Sequence, residues 1–225
     1  MANKIGNIYR TNCGNLKVIG KGKKKGYYIC RFDDDTIVMA YCSAITSGSV
    51  KNPNSPMVYG AGYLGQGEHK AHKNGEKTKE YILWKDMIKR VYDSKYHEKS
   101  PSYKECRVSE EWLCFQNFCN DIKELKGYKE WLNSAPREYC LDKDLKVKNN
   151  KLYSKDTCVF ITTVDNTMLS RGTYGTVYKA TKDGIVYEFT NRRDFEREHG
   201  LHKNCITYYL KANKEFKGWR FEKCL

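Results

Sequence analysis

The residues Asp142-Lys143-Asp144 hold the densest chemistry in the chain. They close the run Tyr139-Cys140-Leu141-Asp142, which reads as a short strand. Residues i and i+2 share one face of a strand, so Asp144 is a second carboxylate beside Asp142. Carboxylate and amide oxygens are hard donors of the kind Mg²⁺ or Mn²⁺ takes. Lys143, with an ordinary side-chain pKa of about 10.4, is protonated at neutral pH and is a poor base unless burial or a neighbouring cation lowers that value. A second group of reactive types lies further along. Asn191 is a plausible cap for a helix through Glu198 bearing Arg192, Arg193 and Arg197. After the turn His199-Gly200-Leu201, a second helix runs to about Leu210, and Lys203, Asn204, Thr207, Tyr208 and Lys211 face outward. Two short helices joined by a Gly-containing turn have helix-turn-helix spacing. Lys and Arg position such a module on phosphates, and Asn204 is of the type that reads adenine in the major groove.

Other constellations are weaker. Ten cysteines occur, and no two are spaced as C-x-x-C, so the usual zinc-finger spacings are absent. Cys140 and Cys158 flank the acidic segment, where they offer a disulfide or a shared metal; free Cys is also a common small buried residue. The glycines of YGAGYLGQG invite a phosphate-loop reading, but no Gly-Lys-Ser/Thr follows.

The elements that must position these residues follow from pattern. Asn15–Ile19, Tyr27–Phe32 and Thr36–Ala40 read as strands, the last two joined by the turn Asp33-Asp34-Asp35. A small sheet or barrel is expected, with Lys21, Lys23, Lys24 and Lys25 on a loop. Residues 79–96 read as a helix with an apolar face of Trp84, Met87, Ile88, Val91 and Tyr92. Another helix begins near Ser109, with Glu110 and Glu111 in its first turn and a stripe of Trp112, Phe115, Cys119 and Ile122, Phe118 beside it. These aromatics are expected in the core and not as a base-stacking platform. A helix fits 163–170, and Lys182-Asp183-Gly184 between two β-rich runs marks a hairpin.

The whole chain has 225 residues, a formal net charge of +14 and a pI of about 9.2, the electrostatic footprint of a polyanion binder. The charge is spread: residues 1–60, 61–171 and 172–225 are each basic. An aromatic content of 13% argues against a disordered chain. No run of 18 apolar residues exists, which excludes a helical membrane span, and no signal-type apolar segment opens the chain. A cytoplasmic protein is the expectation.

The segment LDKDLKVKNNKLYSKDTCVFITTVDNTMLSR resembles the core of phage and intron-associated HNH endonucleases. The preceding YILWKDMIKRVY and CRVSEEWLCFQNF look like the two helices that lead into this core in phage members. FTNRRDFEREHGLHKNCITYYLKANKEFKGWRF is similar to the helix-turn-helix modules at the C-termini of such nucleases. The resemblance spans roughly residues 81–221.

Pattern and resemblance together give an α+β, modular protein: a β-rich, barrel-like unit (1–60) and a Gly-rich linker (61–80) from the pattern, and from the resemblance a ββα-metal core (81–171) followed by a β-hairpin with helix-turn-helix (172–225). The resemblance implies hydrolysis of DNA phosphodiester bonds with one Mg²⁺ or Mn²⁺. In that family the ion stabilises charge on the phosphate and leaving oxygen while a neutral His deprotonates water. Asp142 falls at the carboxylate ligand position, with Asp144 as a further carboxylate. Asn166 falls at the helix ligand position, and Arg171 matches the phosphate-contacting Arg. Two departures stand out. Lys143 occupies the position of the general-base His, and Thr157 stands where the family often has Asn. They support an alternative: a catalytically degenerate DNA- or protein-binding factor, such as a regulator or a phage inhibitor of a host nuclease or defence complex. The expected partner is double-stranded DNA, with RNA a weaker alternative. A bacterial host cell would be the setting if the chain is phage-encoded, and a monomer is the default.

Overall fold

The computed structural model describes residues 4–147, 149–171 and 175–224. The chain divides into two compact units, Met1–Phe160 and Ile161–Leu225. The sequence boundaries at 60 and 80 do not separate such units, and the one expected after 171 borders residues outside the described ones.

The first unit opens with β1 (Ile8–Thr11), β2 (Gly14–Lys21), β3 (Tyr27–Phe32) and β4 (Ile37–Tyr41), then α1 (Cys42–Thr46). The strands form an antiparallel meander in the order β1-β2-β3-β4. Among the described residues no pairing joins β1 to β4, so the sheet is open and not barrel-like. Alternation places Leu16, Val18, Tyr28, Cys30, Phe32 and Ala40 on one face, where α1 adds Ile45.

The segment expected as a linker is packed structure. It contains the small hairpin β5 (His72–Lys73) and β6 (Glu76–Lys77). Its glycines allow close approach: a Cβ at Gly62 would lie 2.9 Å from the Trp84 ring, and one at Gly65, where φ is +70°, would run into Cys114 Sγ. These two glycines serve packing against Trp84 and Cys114.

The helices α2 (Lys79–Tyr92), α3 (Ser94–Lys99), α4 (Glu110–Leu113), α5 (Phe115–Ile122) and α6 (Tyr128–Asn133) surround a second core, with β7 (Arg107–Val108) lying between α3 and α4 in the chain. Trp84, Met87, Ile88, Trp112, Phe115, Phe118 and Ile122 are buried there, as their spacing requires. Tyr92 is exposed, because α2 ends on it and Asp93 turns the chain away. The second expected helix breaks at Cys114, whose extended backbone pairs with Tyr63. Two short sheets complete the unit: β9 (Leu152–Tyr153) runs parallel to β7, and β8 (Tyr139–Asp142) pairs with β10 (Val159–Thr162), the strand on which the unit ends.

The second unit begins at Ile161, within β10, and runs into α7 (Thr163–Ser170), capped by Thr162, whose Oγ1 accepts from the Asp165 amide at 3.0 Å. It continues through β11 (Tyr178–Lys182) and β12 (Ile185–Phe189), turning at Asp183-Gly184. Then come α8 (Arg192–Glu198), α9 (Cys205–Ala212) and β13 (Arg220–Lys223), the last pairing with β11. Ala180, Phe195, Cys205, Ile206, Trp219 and Phe221 form its core.

Candidate functional site

Asp142 ends β8 and is buried. Its Oδ2 accepts two backbone hydrogen bonds, from Asp144 N at 2.9 Å and Leu145 N at 2.7 Å. The carboxylate therefore builds the turn that follows the strand. Burial pushes its pKa above the ordinary carboxylate value; the two amide donors and Lys143 pull the other way, and Asp144 adds to the rise.

Lys143 is also buried, its side chain 10% exposed. Nζ donates to Asp144 Oδ2 and to the Asn150 carbonyl, both at 2.7 Å, and lies 5.9 Å from the centroid of the Tyr153 ring. A general base needs a free lone pair aimed at water. This amine instead donates to a carboxylate and a carbonyl, both acceptors within its own loop.

Asn150 braces the same loop from the other side. Its Nδ2 donates to the Lys143 carbonyl at 3.0 Å and to the Leu152 carbonyl at 2.6 Å, while Oδ1 accepts from Leu152 N at 3.1 Å. Thr157 holds the next turn. Its Oγ1 donates to the Leu152 carbonyl at 2.7 Å and accepts from Ser154 N at 3.2 Å. The two departures from the HNH pattern, Lys143 and Thr157, thus both belong to an internal hydrogen-bond scaffold. The sequence pattern puts Asn150 in a polar turn, and its bracing role depends on contacts that spacing does not reveal.

The carboxylates are a poor fit for a divalent ion. One oxygen of Asp142 is held by two amides, and Asp144 is paired with an ammonium whose positive charge opposes a second cation nearby. Among the described residues, no group of three His, Cys, Asp or Glu side chains is arranged to hold a metal. Asp142, Lys143 and Asp144 lie in the first unit; Asn166, half-buried on α7, and Arg171, exposed at its end, lie in the second.

Among the described residues no disulfide joins the cysteines. Cys158 is buried and burial pushes its thiol up to about 11, so it packs as a small apolar residue. Cys119 is pushed up to about 12 for the same reason.

The helix pair is built with more precision. Asn191 Oδ1 accepts from Arg193 N at 3.1 Å, opening α8. At the other end Gly200 has φ +63°, Leu201 N donates to the Glu196 carbonyl at 2.7 Å, and Gly200 N donates to the Arg197 carbonyl at 3.3 Å. This is a Schellman closure, and it fixes where the chain leaves α8. Glu196 is 4% exposed, and its two oxygens accept separately from Asn204 N at 3.1 Å and Ile206 N at 2.9 Å. A buried carboxylate thereby satisfies the opening amides of α9 and complements the positive end of its dipole.

This frame sets the expected DNA-contacting residues in different places. Lys203, Asn204, Tyr208 and Lys211 are exposed, Tyr208 to 64%. Asn204 sits at the start of α9 with φ +66°. Thr207 is half-buried, and its Oγ1 accepts from Arg192 at 3.1 Å, so it ties the two helices together. Arg193 and Arg197 are exposed on α8, Arg197 paired with Asp194 at 2.9 Å.

No known protein family, curated protein or solved structure matches this chain.

Proposed function

We propose that this protein binds double-stranded DNA and does not cut it. The observation that carries this reading is the state of the would-be catalytic segment. Asp142, Lys143 and Asp144 engage one another's loop as structural groups, and the base position holds a buried amine facing two acceptors. The second unit, by contrast, keeps Tyr208 and Lys211 exposed on a helix whose start is anchored by Glu196, with Lys203 exposed in the turn just before it. Cations on one such helix contact phosphates, and its polar side chains reach base edges.

Metal-dependent cleavage is the second reading. It is favoured by the order of elements: Asp142 closes β8, and α7 bearing Asn166 follows directly on β10. Incubating the full chain with supercoiled and linear DNA in Mg²⁺, Mn²⁺ or EDTA separates the two. Intact DNA in every lane, with a mobility shift that fades as salt rises, is the expected result. Metal-dependent nicking that disappears in Asp142→Ala would establish cleavage and overturn the binding-only reading.

A further inference from the structure

The outward face of the N-terminal sheet is apolar where a solvated face is ordinarily polar. Ile8 is 65% exposed, Met39 59% and Ile37 51%, and Ile19, Tyr27, Ile29 and Tyr41 are exposed beside them. Strand register groups several of these side chains into cross-strand rows. Ile8, Lys17, Arg31 and Ile37 lie opposite one another across the four strands. Ile29 pairs with Met39, and Tyr27 with Tyr41. Arg10 pairs with Asn15 at the β1–β2 end.

Charge distinguishes this face from a surface awaiting another apolar protein. Lys17 and Arg31 are directly opposed, a like-charge cross-strand pair that destabilises a free sheet. No strand residue on this face is acidic. Among the described ion pairs, Asp35 in the following turn meets Arg31 at 3.5 Å, and Asp35 itself is 85% exposed. Lys23, Lys24 and Lys25 stand exposed on the adjoining β2–β3 loop. Cations that repel across strands gain most from a partner presenting regular negative charge.

We propose that this face is a second duplex-DNA docking surface, distinct from the helix pair. It rests on the reading that the chain's ligand is duplex DNA. Four strands span about 14 Å at ordinary strand spacing, wider than the roughly 12 Å major groove, which admits a two-stranded ribbon; two neighbouring strands would enter it and the other two flank it. Aliphatic side chains meet thymine methyl groups there, and Arg10, Lys17 and Arg31 meet the flanking phosphates. Single strands fit less well. They are held by separate aromatic platforms, whereas Tyr27 and Tyr41 pack edge to face with each other, centroids 5.2 Å apart, and the remaining apolar groups are aliphatic. A second copy of the chain would set one Lys17–Arg31 row against another.

The test measures duplex affinity of the full chain across a salt series. Arg10→Gln/Lys17→Gln/Arg31→Gln is compared with Lys203→Gln/Lys211→Gln, and folding of each is checked by circular dichroism. Removing one cation from a phosphate lowers the steepness of log K against log salt by about 0.9, so the sheet variant is expected to lose up to about 2.7. Ile37→Thr/Met39→Thr is expected to weaken binding with the salt slope unchanged. If the wild type binds and both sheet variants match it while the helix variant fails, this proposal falls and the wider reading stands. If the wild type binds no duplex, both fall. Preference for a single-stranded oligonucleotide, or a wild-type dimer that Ile37→Thr/Met39→Thr dissociates, also overturns the proposal.

Discussion

Replacing Glu196 by Gln preserves size and removes one acceptor, which makes it a sharp test of how the helix pair is held. In the wild type each carboxylate oxygen accepts one amide, Asn204 N at 3.1 Å and Ile206 N at 2.9 Å. Gln has one oxygen, so its NH2 group faces the other amide as donor against donor. A hydrogen bond to a charged group contributes about 1.5–3 kcal/mol. The anion at the helix start contributes about 0.3–1 kcal/mol more. Glu196→Gln is therefore expected to destabilise the second unit by about 2–4 kcal/mol. For a domain of this size, each kcal/mol moves the melting temperature by about 4–8 °C, so the drop is of order 10 °C or more. Trp219 is the one tryptophan of the second unit, and its indole N–H resonance reports that unit's unfolding separately from the first. Glu198→Gln, exposed on the same helix, is the control and is expected to stay within about 0.5 kcal/mol. If Glu196→Gln also stayed within that range, the buried carboxylate would not be what anchors α9. Weakened duplex binding should accompany the loss of stability, since Lys203 and Lys211 would lose their fixed positions.

Three further outcomes are expected. Burial raises the folded pKa of Asp142 above its unfolded value, so its contribution to stability is fully present below the unfolded pKa and is lost as pH rises through the folded one. Asp142→Asn keeps an oxygen for both amides. It should be more stable than wild type at pH 7, with the gap closing as pH falls towards about 4; a constant gap in pH-dependent urea unfolding would refute this. Gly62→Ala places a methyl 2.9 Å from the buried Trp84 ring and should cost about 1–3 kcal/mol by denaturant unfolding, whereas an unperturbed midpoint would mean the segment is loosely held. Thiol titration of the native protein at pH 8 should reach the half-buried Cys13, Cys42, Cys140 and Cys224 first and leave Cys119 and Cys158 unreacted until denaturant is added.

Where structure follows local pattern, the sequence was a good guide. Strand β3, helix α7 and the Asp183-Gly184 hairpin lie where alternation, capping and turn chemistry put them. The apolar stripes of α2, apart from Tyr92, and of α4 and α5 are buried as their spacing requires. Less was visible where long-range pairing decides the conformation. Cys114 interrupts an otherwise continuous helical pattern because its backbone pairs with Tyr63, about fifty residues away in the chain. The glycines near residue 62 look like linker composition, and only the positions of Trp84 and Cys114 explain them. Open and closed sheets share one alternation pattern, so the absence of a barrel could not be read from β1 to β4.

The candidate site divides along the same line. Residue types at 142–144 carry an acid–metal expectation because motif spacing records which groups are present and not which partners they already have. Lys143 between Asp144 and the Asn150 carbonyl, Asp142 bonded to two amides, and Thr157 bridging Leu152 and Ser154 form one closed network. A ready catalytic centre keeps donors or lone pairs unspent for substrate, whereas this network spends Asp142 Oδ2, Asp144 Oδ2 and the Lys143 amine on its own loop. In the second unit the buried polar group, Glu196, is spent in the same way, but the result is to leave the outward side chains of α9 free. That contrast favours binding over cleavage: both segments use buried charge to fix backbone, and in the helix pair the frame so fixed presents exposed cations and polar groups to a partner.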